Sequence, residues 1–144
     1  IRTPYMKLNY FWLKLQKKSK LTLINYAAFF GSYQIFKFLQ KNGVRITPES
    51  WLFAIHGNNF EIIHLLEEKR IKPEDNTFKQ AFIESVKCHH NEIAHYIENK
   101  YFNKKKGIDQ NILQKFFKYF NFNFINEENI ENLNIFDFFR LWRN

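Results

Sequence analysis

Between residues 22 and 97, apolar and polar positions fall into a pattern that returns three times. In the first copy Ile24, Ala27 and Ala28 share one helical side and Gly31 marks a turn. Ile35, Phe38 and Leu39 then follow at i, i+3, i+4 as the buried stripe of a second helix. The second copy places Leu52, Ala54 and Ile55 before Asn58 and Glu61-Ile62-Ile63-His64-Leu65-Leu66 after it. The third runs from Ala81 to Ile97 around His89 and ends in Glu92-Ile93-Ala94-His95-Tyr96-Ile97. The turn markers stand 27 and 31 residues apart. Each copy predicts two short antiparallel helices, with Lys37, His64 and His95 on the outer face.

Local chemistry supports the reading. Gly31 and Asn58 are the residue types best suited to the positive φ that ends a helix, and His89 is an acceptable third. Small residues (Ala27, Ala54, Ser85) recur where a short first helix has to lie close to its neighbours. Thr47-Pro48-Glu49 supplies an N-cap, a proline at the first helical position and an acid in the first turn. Pro73-Glu74-Asp75-Asn76 reads as a similar start, and the wider third spacing predicts a first helix about one turn longer there.

The flanks continue the theme. Leu8, Phe11, Trp12 and Leu15 give residues 5–17 a helical face, suited to the second helix of a preceding pair. Asp109 is a candidate cap for a helix with Ile112, Leu113, Phe116, Phe117 and Phe120 on its face. A further helix within 127–142 carries Ile130, Leu133, Phe136, Phe139 and Trp142. Together residues 109–142 read as a degenerate fourth pair, with the alternation Phe120–Phe124 between them taken as a linker. The expected fold is all-α: one domain over residues 1–144, best-matched repeats at 22–46, 48–72 and 75–100, and short loops. Apolar ends and a first residue other than Met suggest a piece of a longer repeat array.

These phrases resemble the ankyrin repeat. Thr22-Leu23-Ile24-Asn25-Tyr26-Ala27-Ala28, Gly31-Ser32, Gln34-Ile35-Phe36-Lys37-Phe38-Leu39 and Gly43-Val44 stand where that family has Thr-Pro-Leu-His-x-Ala-Ala, Gly-His, Glu-Ile-Val-x-x-Leu-Leu and Gly-Ala. More narrowly, residues 22–97 are similar to a divergent ankyrin-like family expanded in parasitic protists. Leu23 replaces the family's proline, Asn25 replaces its histidine, and spacings of 27 and 31 fall short of the family's 33. The resemblance implies a solenoid of stacked helix pairs and a protein-binding scaffold without catalytic activity. It implies contacts at the ends of the first helices and on the loops between pairs. Carried onto this chain, those places are Phe29, Phe30, His56, Lys87 and Cys88, with Arg45 and Lys72 on the loops.

Composition narrows the remaining classes. Of 144 residues 19% are aromatic, and the net charge is +8. Six of those charges fall in residues 1–20 (Arg2, Lys7, Lys14, Lys17, Lys18, Lys20, with no acid). A second basic cluster spans 100–106, with Lys100, Lys104, Lys105 and Lys106. These segments support an alternative reading, binding of nucleic acid or another anionic surface. A structural spacer within a longer repeat protein is a third. One cysteine excludes an intrachain disulfide and a Cys-rich zinc module, so a reducing interior, the cytoplasm, is the expected compartment. No run approaches the roughly 18 apolar residues of a membrane span. Cys88-His89-His90 is the one cluster of metal-ligand types, but neighbouring helical residues diverge, and no metal or cofactor is expected. Phosphate loops, nucleophile elbows and His-Glu-x-x-His are all missing from the sequence.

Overall fold

The computed structural model describes residues 21–102 and 110–125. Its α-helices are α1 (Leu23–Phe29), α2 (Tyr33–Lys41), α3 (Ser50–His56), α4 (Phe60–Glu68), α5 (Lys79–Cys88), α6 (Asn91–Tyr101) and α7 (Gln110–Lys118), followed by a 3₁₀ turn at Phe122–Phe124. No strand occurs among the described residues. The chain is all-α there, as the periodicity predicts.

The turns between paired helices are built identically. Gly31, Asn58 and His89 have φ of 62°, 47° and 61°, the left-handed conformation expected of them. In each, the next N–H reaches back five residues: Ser32 to the Ala27 carbonyl (2.9 Å), Asn59 to Ala54 (3.4 Å) and His90 to Ser85 (3.0 Å). The left-handed residue bonds three back, to Ala28, Ile55 and Val86 (3.0–3.1 Å). This is the Schellman closure, which satisfies carbonyls that a helix end leaves open. A fourth copy follows α7. Phe120 has φ 55°, its N–H bonds to Phe117, and Asn121 bonds to Phe116 at 2.9 Å. Phe120 stands 31 residues after His89, so the stretch taken as a linker opens with a turn of the same kind.

The four first helices lie side by side in the order α1, α3, α5, α7, and α2, α4 and α6 fold back along α1, α3 and α5. Close approach in the row depends on the small residues: Ala27, Ala54 and Ser85 are all buried. Buried Ser50 ties the start of α3 to the start of α1, donating from Oγ to Asn25 Oδ1 at 2.6 Å. Large side chains fill the space between, with Phe36, Trp51, Phe53, Phe82 and Phe116 fully enclosed. Each such burial stabilises by about 1.5–3 kcal/mol. Trp51 also donates its indole N–H to the Ile71 carbonyl at 2.8 Å, so its polar edge is satisfied.

Three local expectations are corrected. In α2 the buried residue is Phe36, while Ile35 and Phe38 are 54% and 64% exposed and Leu39 is half-buried. The counterparts Ile62 and Ile93 are fully buried. Among the described residues α2 packs chiefly on α1, with a smaller contact to α4, and much of its apolar stripe stays exposed. The Thr47 hydroxyl does not cap α3 and has no hydrogen-bond partner. Ser50 Oγ instead accepts the Thr47 N–H, at 3.4 Å. Pro73–Asn76 is a turn rather than a helix start, and α5 begins at Lys79. Asp75 still accepts the Gln80 N–H, at 3.0 Å, and α5 has ten residues against seven in α1 and α3. The extra residues are thus shared between loop and helix. The helices expected within 5–17 and 127–142, and the cap at Asp109, lie outside the described residues.

One polar cluster joins the second helices. Glu67 on α4 accepts from Tyr96 (2.7 Å), Lys100 (2.8 Å) and Tyr101 of α6. The Tyr101 ring lies flat on Phe78, whose own backbone is left-handed. Lys100, counted above in a basic cluster, is therefore paired with an acid. Burial pushes the Glu67 carboxyl up, but the bonds from Lys100, Tyr101, Tyr96 and His64 outweigh it and hold it below the usual carboxylate range. A depressed folded-state value means that the contribution is complete above the unfolded carboxylate range and is lost as pH falls through the folded value. Glu67→Gln should lower stability at neutral pH by about 1–3 kcal/mol. It should also flatten the acid limb of a stability–pH curve from urea titrations, and a variant with the wild-type acid limb would contradict this.

Candidate functional site

Because α1 and α3 run side by side in the same direction, their C-terminal ends meet. Gly57 lies directly against the Ala28 carbonyl and Gly31, and Asn59 Nδ2 donates to the Gly31 carbonyl at 3.1 Å. Five of the seven residues read from the sequence as contact positions fall along this rim of turns: Phe29, Phe30, His56, Lys87 and Cys88. Arg45 and Lys72 are exposed but sit on the loops between pairs, at the opposite end of the helices.

The rim has two parts. Phe30 is 55% exposed, whereas Phe29 is buried, so the aromatic pair offers one surface ring rather than two. The 100° between successive helical residues makes that division necessary. Phe30 packs on Tyr26 (ring centroids 4.7 Å) and edge-on to Phe29 (5.2 Å). With Leu23, Ala27, Ser32 and Ile35 these two exposed rings border an open groove of about 380 Å³ across α1 and α2.

Behind Phe29 lies a polar cluster. The His56 ring stacks on Phe29 (5.6 Å, 23° between planes), and its Nε2 is 2.9 Å from Glu84 Oε1. Lys87 Nζ reaches the same Glu84 oxygen at 2.6 Å. Burial raises the Glu84 carboxyl, but the bond from His56 and the Lys87 charge outweigh it, so it sits below the usual range and is ionised at neutral pH. A carboxylate only accepts, which puts the proton of that bond on His56 Nε2. Lys87 is held above its ordinary value, because Glu84 more than offsets the effect of burial. Burial, then the neighbouring His56, pushes His90 down.

Cys88 Sγ is 3.6 Å from His56 Nδ1 and 3.8 Å from Nε2. A sulfur in line with one nitrogen's lone pair would be far from the other, so near-equal distances place it over the ring. The structure thus brings Cys88 to His56 and Glu84, whereas the sequence suggested only its neighbours His89 and His90. His89 takes the turn and contacts the Tyr119 carbonyl at 3.1 Å. Glu84 was not singled out in the sequence. Its available signal was position alone, i−4 from Cys88 and i−3 from Lys87, one face of α5.

No family model matches this chain, and no curated protein or solved structure does. No helix among the described residues is long and apolar enough to cross a membrane.

Proposed function

We propose that this chain is a protein-binding module of the ankyrin-like kind, a solenoid of stacked helix pairs that serves as a scaffold without catalysing a reaction. The four equivalent turns and the row of first helices support the solenoid, since repeated units that bury their faces on each other define that architecture. The observation that carries the binding role is the apolar groove across α1 and α2. Leu23, Tyr26, Phe30 and Ile35 line it and are each 46–64% exposed, and exposed Phe38 follows Ile35 one turn along α2. Scattered apolar residues are ordinary on a surface, but a contiguous patch with an aromatic centre is the usual form of an interface core. Phe30 is its anchor, backed by the buried Phe29.

The test is site-specific photo-crosslinking. A benzophenone side chain at Phe30 or Tyr26 should give one discrete adduct with a second protein from the native source. The same group at Lys118, exposed on α7, should give none. Adducts confined to the chain itself, or equal labelling from all three positions, would overturn the reading.

A further inference from the structure

We infer that His56, Glu84 and Cys88 form a binding site for a transition-metal dication of the zinc type. One ligand atom from each lies within 4.8 Å of the other two. Imidazole, carboxylate and thiolate are the three protein donors that zinc accepts most readily. Donors about 2.0–2.3 Å from zinc at the tetrahedral angle stand roughly 3.3–3.6 Å apart. From His56 Nε2, Cys88 Sγ is 3.8 Å away and Glu84 Oε1 2.9 Å, which bracket that value. Closing the set needs a movement of roughly an ångström or two, within the reach of one cysteine rotamer change.

The frame suits such a site. Glu84 and Cys88 stand one helical turn apart on α5 and share a face. His56 comes from the neighbouring helix and is steadied by the Phe29 ring. The His56 and Glu84 side chains are only 13% and 14% exposed, so water competes weakly for the ion, yet neither is sealed off. On binding, the Nε2 proton of His56 shifts to Nδ1 and the Cys88 thiol proton leaves to solvent. The sulfur swings from over the ring to the Nε2 side. Thiolate and carboxylate then balance the ion's two charges, and a fourth position stays open to water, an arrangement of three protein ligands plus water. Lys87, 2.6 Å from the Glu84 oxygen, is the resident cation that the ion displaces or shares.

Cobalt(II) added to the reduced full chain tests this directly. One equivalent should bind, giving a thiolate-to-cobalt charge-transfer band and the intense visible bands of four-coordination, both bleached by zinc. Cys88→Ser should abolish the charge-transfer band while circular dichroism stays unchanged. His56→Gln and Glu84→Gln should each weaken binding at least about tenfold. His89→Ala should leave the spectrum as it is. Lys87→Met should bind cobalt several-fold more tightly, because a competing positive charge is removed. This last effect would not arise if the cluster were only packing. No charge-transfer band at saturating cobalt would overturn the site, as would a band that survives Cys88→Ser or one lost in His89→Ala.

Discussion

Gly57→Ala is expected to destabilise the protein by more than about 3 kcal/mol, against the ordinary sign of that substitution. Gly57 has φ −72°, a conformation any residue adopts. Helix propensity alone would therefore make alanine better there by about 0.5–1 kcal/mol. Space forbids it. An added Cβ would lie 2.1 Å from the Ala28 carbonyl oxygen, 2.8 Å from the Gly31 nitrogen and 3.1 Å from the Gly31 Cα. All three are backbone atoms of the preceding turn, so no side chain can rotate away, and relief requires parting α1 from α3. Gly43 is the matched control. It has φ 83° but nothing within 4 Å of its would-be Cβ, so Gly43→Ala should cost only the left-handed penalty, about 1–2 kcal/mol. Urea unfolding of the two variants should rank them in that order. Equal midpoints would mean that the turns are not in contact.

The second large effect separates neighbours on α2. Phe36→Ala should lower stability by about 3–5 kcal/mol, because the ring is fully enclosed and leaves a cavity. Phe38→Ala, 64% exposed in wild type, should change it by less than about 0.5 kcal/mol. The repeat pattern alone assigns the opposite roles, with Phe38 in the buried stripe. Denaturant midpoints for the two alanine variants decide which face α2 turns inward.

That reversal marks the limit of what the sequence discloses. The turn positions were legible because a Schellman closure is local: Gly31, Asn58 and His89 are identified by the φ that they must adopt. Phe120 carries no such signal, because an aromatic residue rarely adopts a left-handed turn, and only its 31-residue spacing from His89 marks the position. Which side of α2 is covered depends on its neighbours in space, and spacing within one helix does not specify them. The rim shows the same division. His56, Lys87 and Cys88 were identifiable as helix ends from the repeat register. The cluster that they form with Glu84 links residues 28 and 32 positions apart across α3 and α5, and no local pattern encodes that distance.

The proposed role as a binding scaffold rests on Phe30 being surface and Phe29 being core. The most direct test measures melting temperature and affinity for the crosslinked partner on Phe29→Ala and Phe30→Ala together. Phe30→Ala should keep the wild-type melting temperature within a degree or so and lose at least about fivefold in affinity, more than about 1 kcal/mol. Phe29→Ala should lose several degrees, as removal of a buried ring requires. If Phe30→Ala instead melts early and binds as tightly as wild type, the ring is structural and the interaction surface lies elsewhere.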